Sequence, residues 1–244
     1  MEAEKTIQGV LKTLPPEQLA QLARLNEREL YNVMHPVGRK VSKKGGKRPS
    51  LKGVKKTSDY IDFDSAMRKG QDLLWSGKKV IPGFYIIFSI NIGCRVSDVM
   101  DIKHSDLEGK KTGDSILIVE QKTGKERELT LNAAVVEAYS YMREYLRHRR
   151  ILRPDDYIFK SQKNHVFATS TLNRMLKREF AGYAKNVSTH SLRKTFGRRV
   201  YNNHGKSEAA LHSLGEVFRH TNIAVTRRYL GISEEEIANI YLNL

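Results

Sequence analysis

The sequence predicts an α+β fold, mostly α-helical, with one small antiparallel β-sheet. Three observations carry that expectation. Apolar residues recur at helical spacing along most of the chain. Two β-rich runs, Ser115–Val119 and Glu126–Leu131, flank Lys122-Thr-Gly-Lys125, which reads as a hairpin with Gly124 taking the turn. Polar capping residues and glycines punctuate the helical stretches.

Composition limits the possible functions. At 244 residues and 39% hydrophobic, the chain can bury the core of one ordinary domain, with an appendage. The 43 Lys and Arg against 27 Asp and Glu leave a net charge of +16, which favours a polyanionic partner; ribosomal and membrane-surface proteins share that property. The longest apolar run, Val80 to Ile92, is broken by Pro82, Gly83, Ser89 and Asn91, so no membrane span is expected. A single cysteine, Cys94, excludes an internal disulfide and a Cys-based zinc site. The N-terminus does not read as a signal peptide, and a soluble, cytoplasmic protein is the expectation.

The first 57 residues differ from the rest. Ile7, Val10, Leu11 and Leu14, then Leu19, Leu22, Leu25 and Leu30, fit two short helices separated by Pro15-Pro16. Arg39, Lys40, Lys43, Lys44, Lys47, Arg48, Lys52, Lys55 and Lys56 follow without an acidic residue among them, broken by Gly45, Gly46, Pro49 and Gly53. Such a stretch buries too little apolar surface to fold alone. It reads either as a solvated linker or as an arm that neutralises DNA phosphates and releases their counterions. The domain boundaries expected are 1–57 for this arm and 58–244 for a compact domain with a tail helix at 233–244.

In the compact domain, Asp64 or Ser65 is expected to cap a core helix carrying Met67, Leu73, Leu74 and Trp75. Pro82 suits the first turn of a second, through Phe84, Ile87 and Phe88. Gly93 ends that helix, and Arg95 opens the next beside Val96, Val99, Met100 and Ile102, with Asp98 placed to pair with it. After the hairpin, whose exposed tip carries Lys122 and Lys125, Asn132 caps a long helix through Val136, Tyr139, Met142 and Leu146. Its basic end, Arg147 to Arg150, suits a helix C-terminus. Tyr157–Phe159 is a short extended piece, and Ser170 begins a helix through Leu172, Met175, Leu176 and Phe180. A further helix opening at Thr189 puts His190 and Arg193 three residues apart on one face. His220 and Tyr229 lie nine residues apart, with Ile223 and Val225 between them. Ser233 and Glu236 make a capping box for the tail helix, whose apolar positions are Ile237, Ile240, Tyr241 and Leu244.

No repeat or Gly-rich phosphate loop is present, and no carboxylate cluster suits a two-metal site; Asp98 and Asp101 have no third acidic partner at a telling spacing.

The ordered series Gly93-Cys-Arg95-Val-Ser-Asp98, Lys122-Thr-Gly124, His190-Ser-Leu-Arg193, and His220 with Tyr229 resembles the catalytic domain of the tyrosine recombinases, the phage-integrase family. The resemblance runs from Asp59 to Leu244. Two departures accompany it. The family's second histidine commonly follows Leu-Gly, whereas Val217-Phe218-Arg219 precede His220 here. The family also usually carries a helical DNA-clamping domain ahead of the catalytic one, for which 57 residues are too few.

The resemblance implies catalytic roles for Arg95, Lys122, His190, Arg193, His220 and Tyr229, with Asp98 in support. The two guanidiniums would hold the non-bridging oxygens of a phosphodiester. His190 would take the phenolic proton of Tyr229, His220 would donate to a phosphate oxygen, and Lys122 would protonate the departing 5′-oxygen. A 3′-phosphotyrosyl bond would form and conserve the energy of the one broken, with no ATP, metal or other cofactor. Double-stranded DNA is the implied partner, bound by a homo-oligomer, four protomers to a synapse, with the tail helix docked in trans. Type IB topoisomerase chemistry uses the same residue types, and a non-catalytic DNA-binding accessory protein is the third alternative.

Overall fold

A computed structural model describes residues 57–161, 164–232, 238–239 and 241–242. These fall within the compact unit Lys55–Leu244. The basic residues expected to form the arm, Arg39 to Lys56, lie outside the described residues, as does most of the tail helix. Of the tail, Ala238, Asn239, Tyr241 and Leu242 are helical, and Tyr241 and Leu242 are 75% and 79% exposed.

Helix α1 (Phe63–Trp75) lies against α2 (Val80–Ile92). The cap of α1 is Asp62, whose carboxylate accepts from the Ser65 amide at 2.9 Å, rather than Asp64 or Ser65. Its buried stripe is Ala66, Gly70 and Leu74. Trp75, expected in the core, is 47% exposed, because one residue beyond Leu74 is a turn of about 100° away from that stripe. Helix α2 has no polar face, and its buried residues include Phe84, Ile86, Ile87, Phe88 and Ile90. A helix with apolar residues all round must be enclosed all round. It packs against α1, α5 (Ala133–His148) and α7 (Thr189–Asn203).

Two short helices follow α2: α3 (Val96–Val99) and α4 (His104–Leu107). Strands β1 (Ser115–Val119) and β2 (Glu126–Thr130) pair antiparallel with Ile118 opposite Arg127, and Gly124 takes the turn at φ 64°. Asn132 caps α5 by accepting from the Val135 amide. Helix α6 (Thr169–Glu179) buries Leu172, Met175 and Leu176. Tyr157–Phe159 is extended, with Tyr157 bridged to Lys103, and Phe159 meets the rings of Phe84, Tyr85 and Phe88. His104 is buried beside Tyr139, whose hydroxyl lies 3.3 Å from Nδ1 and donates to the His104 carbonyl at 2.8 Å.

A second, smaller cluster forms at the C-terminal end. It joins α7 to α8 (Glu208–Phe218) and α9 (Ile223–Leu230), around Tyr201, Leu211, Leu214, Phe218 and Leu230. Helix α8 is not among the elements expected above. Among the described residues, no helix is long and apolar enough to cross a membrane.

Gly93 joins the two regions. It terminates α2 in the left-handed conformation, φ 69°, and a Cβ there would fall 2.3 Å from Phe196 Cδ1. Phe196 in turn packs edge-on against Phe218, ring centroids 6.1 Å apart. Gly93→Ala therefore strains the backbone and displaces Phe196 together. We expect a loss of about 2–4 kcal/mol in denaturant unfolding; an unchanged midpoint would contradict this account of the junction.

Candidate active site

The site forms where the C-terminal end of α8 meets α7, α9 and the start of α3. Arg219 follows α8 in the left-handed conformation, φ 54° and ψ 46°. The turn is closed by Arg219 N–H to Glu216 O at 3.0 Å and His220 N–H to Gly215 O at 2.8 Å, a Schellman arrangement. The Phe218 carbonyl is left outside that pattern, at the negative end of the helix dipole. Two guanidinium groups meet it: Arg193 Nη2 donates at 3.0 Å and Arg95 Nη2 at 3.3 Å. Residues 98 positions apart in sequence thus share one acceptor.

Each arginine is held by further contacts. Arg193, 3% exposed on α7, lies over the Phe218 ring at 4.5 Å. Arg95 Nη1 lies 3.6 Å from Asp98 and 3.9 Å from Glu120. Asp98 is buried and accepts from the Gln121 amide at 3.2 Å, which ties α3 to the hairpin. Among the described residues, Nη1 of Arg95, Nη1 of Arg193 and the Tyr229 hydroxyl are buried without a hydrogen-bond partner. Buried donors left unsatisfied are costly, and an oxygen-rich anion is a group that could satisfy them.

Tyr229 lies on α9 with its ring edge-on to His220 and Phe218, centroids 5.2 and 5.4 Å away. Burial pushes its pKa up to about 12, against the opposing charges of Arg193 and Arg95, so the phenol keeps its proton at neutral pH. His220 Nδ1 is 3.0 Å from the Thr226 hydroxyl, which fixes the imidazole and leaves Nε2 available. Burial, with the charges of Arg193 and Arg95, lowers the His220 pKa to about 4. His190 stands at the rim, at the N-terminal end of α7, where the Ser188 hydroxyl accepts from its amide. Partial burial and the charges of Arg193, Lys194 and Arg95 also push its pKa down. Lys122 and Lys125 are exposed on the turn. The structure therefore brings Arg95, Asp98, Arg193, His220 and Tyr229 into one cluster, with His190 beside it and Lys122 apart on the hairpin. Among the described residues, no group of three or more His, Cys, Asp or Glu side chains could hold a metal ion.

Sequence reasoning missed Glu120 and Phe218. Glu120 is fully buried, and its carboxylate meets Arg219, Arg127 and Arg95. Burial would raise its pKa, but the Thr123 hydroxyl and these charges outweigh that and hold it below the usual carboxylate value. The signal was available: Ile116 and Ile118 point inward, and a period of two puts Glu120 on the same face. Phe218 was visible only as a departure from Leu-Gly, because its main contribution is a backbone carbonyl.

The model of the phage integrase family matches residues 81–236, more than half of the chain. A probable integrase/recombinase, YoeC, of Bacillus subtilis (strain 168) is 29% identical over 161 residues, covering 65% of this chain and 81% of that protein. Tyrosine recombinase XerC of Staphylococcus aureus (strain JH9) is 26% identical over 157 residues, 62% of this chain and 49% of that one. The chain thus spans about four-fifths of the one and about half of the other. Among solved structures, the XerA recombinase aligns with a TM-score of 0.55 at 23% identity, covering 78% of this chain and 66% of that chain. XerH bound to a palindromic difH substrate, a post-cleavage complex, aligns at 0.58 with 19% identity, 79% and 57% covered. The protein belongs to the phage integrase family, the tyrosine-type site-specific recombinases, and the mostly helical fold with its two-stranded sheet is that of their catalytic domains.

The histidine shifts have a direct consequence for stability. An unfolded chain takes up a proton at each histidine near pH 6.5, whereas folded His104 and His220 do so only near 4. The stability from keeping them neutral is full above about pH 6.5 and is lost as pH falls toward 4. Unfolding free energy should drop across that window by up to about 1.4 kcal/mol per pH unit for each histidine. His104→Asn should flatten the slope, and a level wild-type curve would contradict the assignment.

Proposed function

We propose that this chain cuts and rejoins DNA strands through a covalent 3′-phosphotyrosyl intermediate formed on Tyr229. The observation that carries the reading is the convergence of Arg95 and Arg193 on the Phe218 carbonyl, each with a buried Nη1 that makes no hydrogen bond among the described residues, beside the buried Tyr229 hydroxyl. The two guanidiniums would grip the non-bridging oxygens of the scissile phosphate and stabilise the charge that builds up in the transition state. Tyr229 Oη would form a bond to phosphorus as the bond from phosphorus to the 5′-oxygen breaks. His190, neutral at pH 7, would accept the phenolic proton, and Lys122 would supply one to the 5′-oxygen once the hairpin closes on DNA. If the Thr226 hydroxyl, 3.0 Å from His220 Nδ1, is the donor, Nε2 would carry the hydrogen and donate it to a phosphate oxygen. Asp98 would support Arg95.

We also propose that the basic segment Arg39 to Lys56, together with Lys125, follows the DNA backbone. Two further expectations are that the partner is double-stranded DNA and that the chain acts there as a homo-oligomer with its tail docked in trans. The exposure of Tyr241 and Leu242, and the XerH complex with its difH substrate, support this reading. A topoisomerase-like reaction remains the alternative, separated by whether strands change partners.

The test is a suicide substrate with a nicked site, followed by denaturing electrophoresis and a strand-exchange assay. Wild type should form an adduct in excess EDTA, and Tyr229→Phe should form none while binding DNA within about twofold of wild type, since one oxygen and little packing are removed. Persistence of the adduct in Tyr229→Phe, or a need for added magnesium, would overturn the reading. Run on chains lacking residues 1–57 or ending at Ile232, the same assays should show weaker binding to all sequences in the first and normal binding with less strand exchange in the second. Unchanged behaviour would remove the arm or the tail from the proposal.

A further inference from the structure

We propose that Arg219 and Glu120 form a positioning pair that docks the His220 segment onto the base of the β1–β2 turn. The inference rests on the reading of the site as a phosphodiester-cleaving centre.

Arg219 occupies a left-handed conformation that glycine adopts without penalty and a long side chain does not. The two backbone bonds that close its turn would form with any residue in this conformation, so the backbone gives no reason for an arginine. The side chain does. Its Nε reaches Glu120 Oε1 at 3.3 Å, closer than Arg127 Nη1 at 3.7 Å or Arg95 Nη1 at 3.9 Å.

Glu120 is in turn fixed to the hairpin. Its Oε2 accepts from the Thr123 hydroxyl at 2.9 Å, and its carbonyl accepts from the amides of Thr123 and Gly124 at 3.2 and 2.8 Å. One buried carboxylate therefore touches four segments: the start of α3 through Arg95, the turn that carries Lys122, β2 through Arg127, and the α8–α9 link through Arg219. His220 is the next residue after Arg219, so a shift of that link moves its imidazole relative to both guanidiniums. Arg219 is 44% exposed and its charge is partly screened by solvent; the pair acts mainly by fixing distance and direction.

The test uses the full chain and three substitutions. Arg219→Gly relieves the backbone and removes the side chain, Arg219→Lys keeps the charge with altered geometry, and Glu120→Gln keeps the shape while removing the charge. Thermal midpoint, DNA affinity and the single-turnover rate of adduct formation at saturating protein are measured on each. We expect Arg219→Gly to keep or raise the midpoint, bind DNA within about twofold of wild type, and form adduct about tenfold more slowly or worse. Arg219→Lys should recover part of the rate. The double variant, Arg219→Gly with Glu120→Gln, should be no slower than the slower single variant. A role confined to folding would lower the midpoint and spare the rate of the folded protein. An undiminished rate in Arg219→Gly overturns the pair, as does a double variant whose losses multiply. Should Glu120→Gln fail to fold, the glycine and lysine variants at 219 decide between the same outcomes. Absence of an adduct in wild type would instead overturn the reading of the site itself.

Discussion

The site depends on one backbone carbonyl. Phe218 ends α8, and its oxygen is the acceptor on which Arg95 and Arg193 converge. Two cations so close repel each other, and an oxygen at the negative end of a helix is one of few neutral groups that hold both. The ring of the same residue supports Arg193 from below and lies edge-on to Tyr229. Phe218 thus fixes the relative positions of two arginines and a phenol through contacts that leave Arg193 Nη1, Arg95 Nη1 and the phenolic oxygen unbonded among the described residues. That combination of rigid placement and unused donors is what anion binding requires.

Charge balance explains the surroundings. Asp98 and Glu120 are buried carboxylates, and each would be costly alone. Glu120 meets three arginines and a hydroxyl, so its ionised form is favoured in spite of burial. The positive field that remains lowers the pKa of each titrating neighbour. Burial is the larger cause that pushes the His190 and His220 pKa values down, and the field adds to it; for Tyr229 burial pushes the pKa up and the field moderates the rise. The arginines that converge on the Phe218 carbonyl therefore also disfavour the charged imidazolium forms.

Much of the fold was legible because periodicity is local. The all-apolar run at Val80, the alternation of β1 and the capping residue Asn132 each declare an element without reference to the rest of the chain. Trp75 was misplaced because apolar character does not say which side of a helix faces inward. The side chains of the cluster were legible for a different reason: Arg95, His190, Arg193, His220 and Tyr229 are chemically distinctive and ordered along the chain. Phe218 was not, because a carbonyl is common to every residue and only the end of α8 gives this one its role. Glu120 escaped because an acid between a strand and a lysine-rich turn reads as exposed until its inward register is counted.

The central claim is that the two arginines meeting at Phe218 present a phosphate to Tyr229. The most direct measurement is mass spectrometry of a trapped protein–DNA adduct after digestion with protease and nuclease. The account predicts residual nucleotides joined through a 3′-phosphate to the peptide that contains Tyr229. Nucleotides found instead on a peptide containing Tyr201 or Tyr241, or a linkage through a 5′-phosphate, would contradict it.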